Sequence, residues 1–411
     1  KIQNCITSAR SFVVAATYLQ IRKPVVVVLS DKEEAAYLYN DLQSILNEKS
    51  LFFFPSTIRH LSFDSGIKTD KASIVMRTET LTQLKNFSNP IIVTYPEALC
   101  ETVISASEIS SNSIELQIND LIDVSFLVSM LQELGFVRTE FVFEPGQYAQ
   151  RGSIVDVFSY ASDLPYRIDF FGDQIETIRA FNIENQLSVS RLDKISIINN
   201  IQIKKDEKRI SFLELIDKNT LFFVDDINFL YEIAKNLYDE HKEIILFNDE
   251  TNSNETIEII NDLEFISQFA EFKKVHLSNS SLIDVEKNIS LNISPQSLFQ
   301  KNFNLLAQDI KNKQTKNYEI YILSTSAKQL QRLNDILQSE ELDNKVDFVP
   351  IEGIVHEGFS DNDLAVSIYT DHQIFDRYHR FQLKNFTINK SKETQLLREI
   401  NELKQGDYVV H

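Results

Sequence analysis

Residues 144 to 179 constrain the fold most, because charged, apolar and aromatic side chains alternate there over several short segments. Tyr166–Phe171 has the period of two that is typical of a β-strand, and a glycine and an aspartate follow it where a tight reversal would lead into the next strand. The pattern predicts an antiparallel sheet with one buried face, whose other face carries Arg167 and Asp169. Taken alone, such a charged face is also typical of an ordinary solvated sheet surface.

Size and charge indicate an acidic protein with several domains. The chain has 411 residues, 43% hydrophobic and 25% charged, so it can bury several cores. Its net charge of −19 argues against a general nucleic-acid-binding surface, which needs clustered lysine and arginine to neutralise phosphates, and favours a protein partner. Two cysteines, Cys5 and Cys100, imply neither a disulfide framework nor a zinc cluster. No apolar run reaches membrane-spanning length and the first residues lack a signal pattern, so we expect a cytoplasmic protein without a membrane partner.

Strands alternate with helices on both sides of the charged stretch. Before it, the apolar run Val25 to Leu29 leads into a helix that Asp31 caps and that extends to about Asn47. After it, we predict a helix over Asn228 to Leu237 and a strand near Glu243 to Phe247. This rhythm favours a mainly parallel sheet.

The segment PGQYAQRGSIVDVF, followed by LPYRIDFFGDQIETIRAF, resembles the signature of the second domain that UvrB shares with the bacterial transcription-repair coupling factors (the Mfd family). In that family this small domain docks onto UvrA, the damage-recognition ATPase of nucleotide excision repair. The resemblance places the docking residues at Arg151, Arg167 and Phe171, with Arg179 as a further member of the same face. Two guanidinium groups beside an exposed aromatic ring form the kind of anchor that dominates interface energy.

A nucleotide site is the main alternative, and its motifs are incomplete. Arg10 and Ser11 stand where a helicase of this family would carry the lysine and the serine or threonine of its phosphate-binding loop, and residues 1 to 65 contain no glycine. Such a loop needs glycines so that backbone N–H groups can approach the phosphates. Asp225 and Asp226 end an apolar run where a magnesium-binding acid would lie, but capping of the following helix is the simpler explanation. We therefore expect no catalytic residue, cofactor or metal in this chain; the resemblance implies that ATP and magnesium act only in a C-terminal motor.

The combined interpretation is an α/β fold: a degenerate helicase-like parallel-sheet domain with an inserted small α+β domain, followed by a further small α/β domain. Gly406–His411 resembles the opening of the family's RNA-polymerase-interacting domain. The predicted boundaries are 1–112 and 200–300 for the two parts of the helicase-like domain, 113–199 for the inserted UvrA-docking domain, 301–385 for the additional α/β domain, 386–405 for a helical linker, and 406–411 for the start of a truncated RNA-polymerase-interacting domain.

The function implied by the resemblance is recruitment of UvrA to stalled RNA polymerase in transcription-coupled repair, by a non-catalytic interaction module. RNA polymerase and DNA would then be partners of further C-terminal domains. Two alternatives stay open at this stage: a DNA-dependent NTPase or helicase related to UvrB, and a DNA-binding module. The histidines within Asp371–Arg380 favour a surface or interdomain position over catalysis.

Overall fold

The computed structural model describes residues 1–62, 66–200, 209–248, 257–277, 286–339, 346–381 and 383. They divide into two compact units. The first draws its described residues from 1–68, 83–105 and 208–383, and the second from 69–82 and 106–207.

A five-stranded parallel sheet forms one core of the first unit. Val25–Val28 is its middle strand, and all four valines are buried because both faces of the sheet are covered. The strands in spatial order are Lys273–His276, Leu221–Val224, Val25–Val28, Ile91–Thr94 and Leu51–Phe53. The predicted parallel α/β architecture is confirmed at this level.

A mixed five-stranded sheet forms the second core of this unit. Its strands in spatial order are Ile293–Pro295, Phe359–Asp361, Val366–Thr370, Glu319–Ser324 and Val349–Glu352. The last three run parallel and the first two are antiparallel to their neighbours. One face packs against the helices Phe303–Gln314 and Ala327–Leu337.

Nine α-helices and one short 3-10 helix, Leu84–Asn86, belong to the described part of the first unit. The predicted cap of the second helix is confirmed, since the Asp31 carboxylate accepts hydrogen bonds from the N–H groups of Glu33 and Glu34 at 2.8 and 2.9 Å. The α-helices are Ala9–Ile21, Lys32–Leu46, Pro96–Cys100, Phe212–Leu215, Ile227–Asn248, Asp262–Ala270, Phe303–Gln314, Ala327–Leu337 and Asp371–Ile374. Smaller strand pairs are Ile2–Gln3 with Ile289–Ser290, Val103–Ile104 with Arg209–Ile210, and Ile58–Ser62 with Gly66–Thr69.

The second unit is built on a six-stranded sheet. Its strands in spatial order are Ser188–Arg191, Gln174–Phe181, Tyr166–Phe171, Ile154–Val157, Gln147–Arg151 and Val137–Arg138. All neighbours are antiparallel except the last pair. A strand pair, Ser113–Gln117 with Lys194–Ile198, and the helices Lys71–Gln83, Ala106–Ser111 and Val124–Glu133 complete the unit. The predicted antiparallel sheet is confirmed, and Gly172 has the positive φ of 60° that its tight turn requires.

One predicted element is wrong. The helix that begins at Ile227 continues to Asn248, so no strand forms near Glu243 to Phe247. A short apolar run cannot be assigned to helix or strand by periodicity alone, and here it extends a helix already under way. The predicted linker 386–405 and the segment 406–411 lie outside the described residues, and the domain boundaries remain predictions. Within the described part of the chain, no helix is both long and apolar enough to cross a membrane.

Candidate functional site

The outer face of the six-stranded sheet brings the predicted docking residues together. Tyr166, Ile168 and Phe170 enter the core of the second unit, so Arg167 and Phe171 extend from the opposite face. The sheet register places Arg167 directly between Asp156 and Arg179 on its two neighbouring strands. Pattern and register together therefore define one charged surface, which we call the outer face.

Arg167 forms the most extensive contacts on the outer face. Its Nε and Nη2 donate to the two oxygens of Asp156 at 2.7 and 2.8 Å, and its Nη1 and Nη2 donate to the backbone and side-chain oxygens of Gln186 at 3.3 and 3.2 Å. The guanidinium also lies 4.3 Å from the centroid of the Phe181 ring. The hydrogen bonds to Asp156 raise the pKa of Arg167 further. These contacts fix the orientation of the group and leave its side chain 16% exposed.

Arg151 reaches the same carboxylate from the other side. Its Nη2 pairs with Asp156 Oδ2, its Nη1 donates to the Glu140 carbonyl at 3.1 Å, and its guanidinium lies 5.1 Å from the Phe141 ring. At 38% exposed, Arg151 is more accessible than Arg167. Asp156 thus forms ion pairs with two arginines, and the sequence analysis did not identify it. The sequence did contain a signal: Asp156 stands between two valines that enter the core, so its side chain must lie on the outer face.

Phe171 and Arg179 are the other two predicted docking residues on the outer face. Phe171 lies at the end of its strand and is 76% exposed, which is unusual for a phenylalanine. Arg179 pairs with Asp169, which also accepts a hydrogen bond from Thr177 at 2.5 Å. The structure therefore combines an exposed aromatic ring with three arginines, each tied to an aspartate.

The predicted remnant of a nucleotide site lies in the first unit, and its arginine and serine side chains contact acidic side chains of the same unit. Arg10 pairs with Glu34, and its Nη1 lies 3.8 Å from Asp225 Oδ1. Ser11 donates to Asp41 at 2.8 Å. Asp226 accepts from the N–H groups of residues 228 and 229 at 2.9 and 3.2 Å, which confirms the predicted helix cap.

Residues 353 to 358, which precede a strand of the mixed sheet, pack against this remnant of a nucleotide site. The N–H groups of His356 and Glu357 donate to Asp41 at 2.7 Å and to Ser8 at 2.9 Å, and the His356 ring stacks on Tyr37 with centroids 3.5 Å apart. The cavity left there has a volume of about 40 Å³, room for roughly one water molecule. Burial raises the pKa of Asp41 to about 7 and lowers that of His356 to about 4.

The histidines predicted to lie at a surface or interdomain position join this junction. His372 contacts the His356 carbonyl at 2.8 Å, and the Tyr37 hydroxyl donates to the His379 carbonyl at 3.2 Å. Among the residues that the structure describes, no group of three or more histidine, cysteine or acidic side chains could hold a metal ion.

Comparison with known proteins indicates the same family relationship as the sequence motif in residues 144 to 179. A family model for the UvrB interaction domain matches residues 114–202. The transcription-repair-coupling factors of Bacillus subtilis strain 168 and Staphylococcus aureus strain RF122 are 23% and 21% identical over 98% of the chain, which spans 40% of each relative's length. The Escherichia coli K12 protein of the same name is 23% identical over 51% of the chain and 18% of its own length. The predicted resemblance is thus confirmed: residues 114–202 match the UvrB interaction domain, within a chain that is similar to transcription-repair-coupling factors along 98% of its length.

Proposed function

We propose that this chain is a protein-interaction module of transcription-coupled nucleotide excision repair, which binds UvrA through the outer face of its second unit and so recruits UvrA to stalled RNA polymerase. The observation that carries the proposal is the exposed Phe171 ring on the same face as two arginines held by one buried aspartate. The match of residues 114–202 to the UvrB interaction domain supports the choice of partner. RNA polymerase and DNA would be bound by parts of the relatives that these 411 residues do not cover.

Each group on the face has a distinct role in this proposal. Phe171 fills an apolar pocket of UvrA, because burying an exposed aromatic ring contributes more to affinity than a rim contact. Arg151, with its greater exposure, pairs with a carboxylate of UvrA. Arg167 has one N–H group left after its contacts with Asp156 and Gln186, so it adds a single hydrogen bond and otherwise keeps Arg151 and Asp156 in place.

We also propose that the chain has no catalytic activity of its own. Its arginine and serine at the position of the phosphate-binding loop contact acidic side chains, and residues 353 to 358 lie against them. ATP- and magnesium-dependent motor activity would belong to the longer relatives outside the region covered here. No observation favours the alternative of a DNA-dependent NTPase.

Titration of purified UvrA with the chain, followed by calorimetry, tests the proposal. Wild type should bind, and Arg167→Ala should weaken the affinity by tenfold or more, about 1.4 kcal/mol. Arg332→Ala, at an exposed position of the first unit, is the matched control and should bind like wild type. Absence of wild-type binding, or equal affinity of the Arg167→Ala and Arg332→Ala variants, would contradict the proposal.

A further inference from the structure

Two exposed side chains flank the strand Gln174–Phe181 on the side away from the strand Tyr166–Phe171. Leu121 forms an antiparallel bridge with Gln174, which in turn pairs with Phe171. Arg191 pairs with Arg179 in the same register. Residues directly opposite on neighbouring strands share a face of the sheet, so both extend the outer face by one strand.

Leu121 places a second apolar side chain near Phe171. It is 83% exposed, whereas its neighbour Ile122 packs against the core of the second unit, so the Leu121 side chain is directed away from that core. At about 4.8 Å between strands, the Cα atoms of Phe171 and Leu121 are about 10 Å apart, with Gln174 between them. One end of the outer face therefore carries two exposed apolar side chains, one on each side of Gln174.

Arg191 places a third arginine in a row across three strands. Arg167, Arg179 and Arg191 are consecutive partners in the register, and like charges directly opposite one another are destabilising. Asp156 and Asp169 compensate the first two. Among the described residues, none forms a hydrogen bond or ion pair with the Arg191 side chain, so a carboxylate from a binding partner would relieve this repulsion.

We infer that Leu121 and Arg191 are further contact residues of the docking surface, which extends across the strand Gln174–Phe181 and fits a partner with an apolar pocket beside an acidic group. This inference rests on the proposed function and adds to it. A stable interface takes about 20–30 residues from each side, so the predicted docking residues alone are too few to form it. The charge complementarity is local, because the arginine row lies on a chain with a net charge of −19.

The test is the affinity of the full 411-residue chain for purified UvrA. Leu121→Ala and Arg191→Ala should each weaken binding about fivefold, as contacts of intermediate strength do. Their partners Gln174 and Arg179 lie five residues, about 17 Å, apart on one strand, so the effects should multiply to about 25-fold in the double variant. Leu364→Ala and Arg332→Ala, at exposed positions of the first unit, are matched controls that should bind like wild type.

Two results would overturn the inference, and only one of them would also contradict the proposed function. If either single variant binds like wild type while Arg167→Ala weakens binding tenfold, the surface does not extend across the strand and the proposed function stands. If wild type itself does not bind UvrA, both fail. Because both side chains are exposed, the variants should fold; their circular dichroism spectra should match that of wild type.

Discussion

Asp156 is the residue on which the geometry of the outer face depends. Its carboxylate is 1% exposed and accepts hydrogen bonds from Arg151 and Arg167, so its removal leaves two guanidinium groups without their shared partner. Both arginines retain some access to water, which limits the cost. We expect Asp156→Ala to lower the free energy of unfolding of the second unit by about 2 kcal/mol.

Hydrogen exchange of the strands Ile154–Val157 and Tyr166–Phe171 measures this change locally. A loss of about 2 kcal/mol corresponds to about 30-fold faster exchange where closing is fast and the exchange rate follows the opening equilibrium. Asp169→Ala is the comparison. Asp169 is more exposed than Asp156 and, among the arginines that the structure describes, forms an ion pair with Arg179 alone, so its removal should have a smaller effect. Equal exchange in wild type and Asp156→Ala would show that the arginines find other partners.

At the residue scale, the sequence predicts which side chains face outward but not how they contact one another. Alternation along Tyr166–Phe171 predicted which side chains leave the core, and the structure places Arg167 and Phe171 there. It could not predict that Arg167 is mostly covered, because its exposure depends on Gln186 and Phe181 from segments outside the strand. The alternation also did not reveal the role of Asp156. That role depends on which residues lie opposite it on the neighbouring strand, and a period of two does not specify them.

At the scale of secondary-structure elements, the helix Lys32–Leu46 carries a buried carboxylate whose pKa lies near neutral pH. Asp41 is buried on this helix, and burial raises its pKa to about 7, above its value in the unfolded chain. Between about pH 4 and pH 7 the folded state therefore holds a proton that the unfolded state has released. Stability from this group should fall as pH rises through that window, by up to about 1.4 kcal/mol per pH unit, and level off above pH 7.

Comparison with Asp41→Asn isolates this effect. His356 and His372 have lowered pKa values and give the opposite slope, since the folded state binds fewer protons there. Both histidines are present in wild type and in Asp41→Asn, so their contributions to the pH dependence cancel when the two stabilities are subtracted. The stability of wild type minus that of Asp41→Asn, from urea denaturation, should therefore decrease from pH 4 to pH 7; a constant difference would mean that Asp41 is ionised throughout.

Element types were predicted best where a strong local signal existed. The Asp31 cap and the four consecutive valines of Val25–Val28 each produced the expected element. The run near Glu243 to Phe247 failed because the preceding helix continues through it, a choice that local periodicity does not decide. The junction of residues 353 to 358 with Asp41 was not predictable, since its hydrogen bond from His356 to Asp41 joins residues 315 positions apart in the chain.

At the scale of the whole chain, that junction bears on whether a nucleotide could bind at all. Ser8 and Asp41 hold the backbone of residues 353 to 358, and Arg10 is paired with Glu34 and lies near Asp225. Restoring a lysine at position 10 would supply the missing ammonium group without removing these residues or adding the glycines of a phosphate-binding loop. We therefore expect neither wild type nor Arg10→Lys to bind MgATP.

Calorimetric titration with MgATP tests this expectation. Both proteins should give only the heat of dilution up to millimolar nucleotide, because a cavity of about 40 Å³ is far below the 300 Å³ or more of typical ligand pockets. Saturable binding that is lost in Asp225→Ala would contradict the expectation and revive the NTPase alternative, since it would require residues 353 to 358 to leave the site. Binding unaffected by Asp225→Ala would instead place the nucleotide elsewhere on the chain.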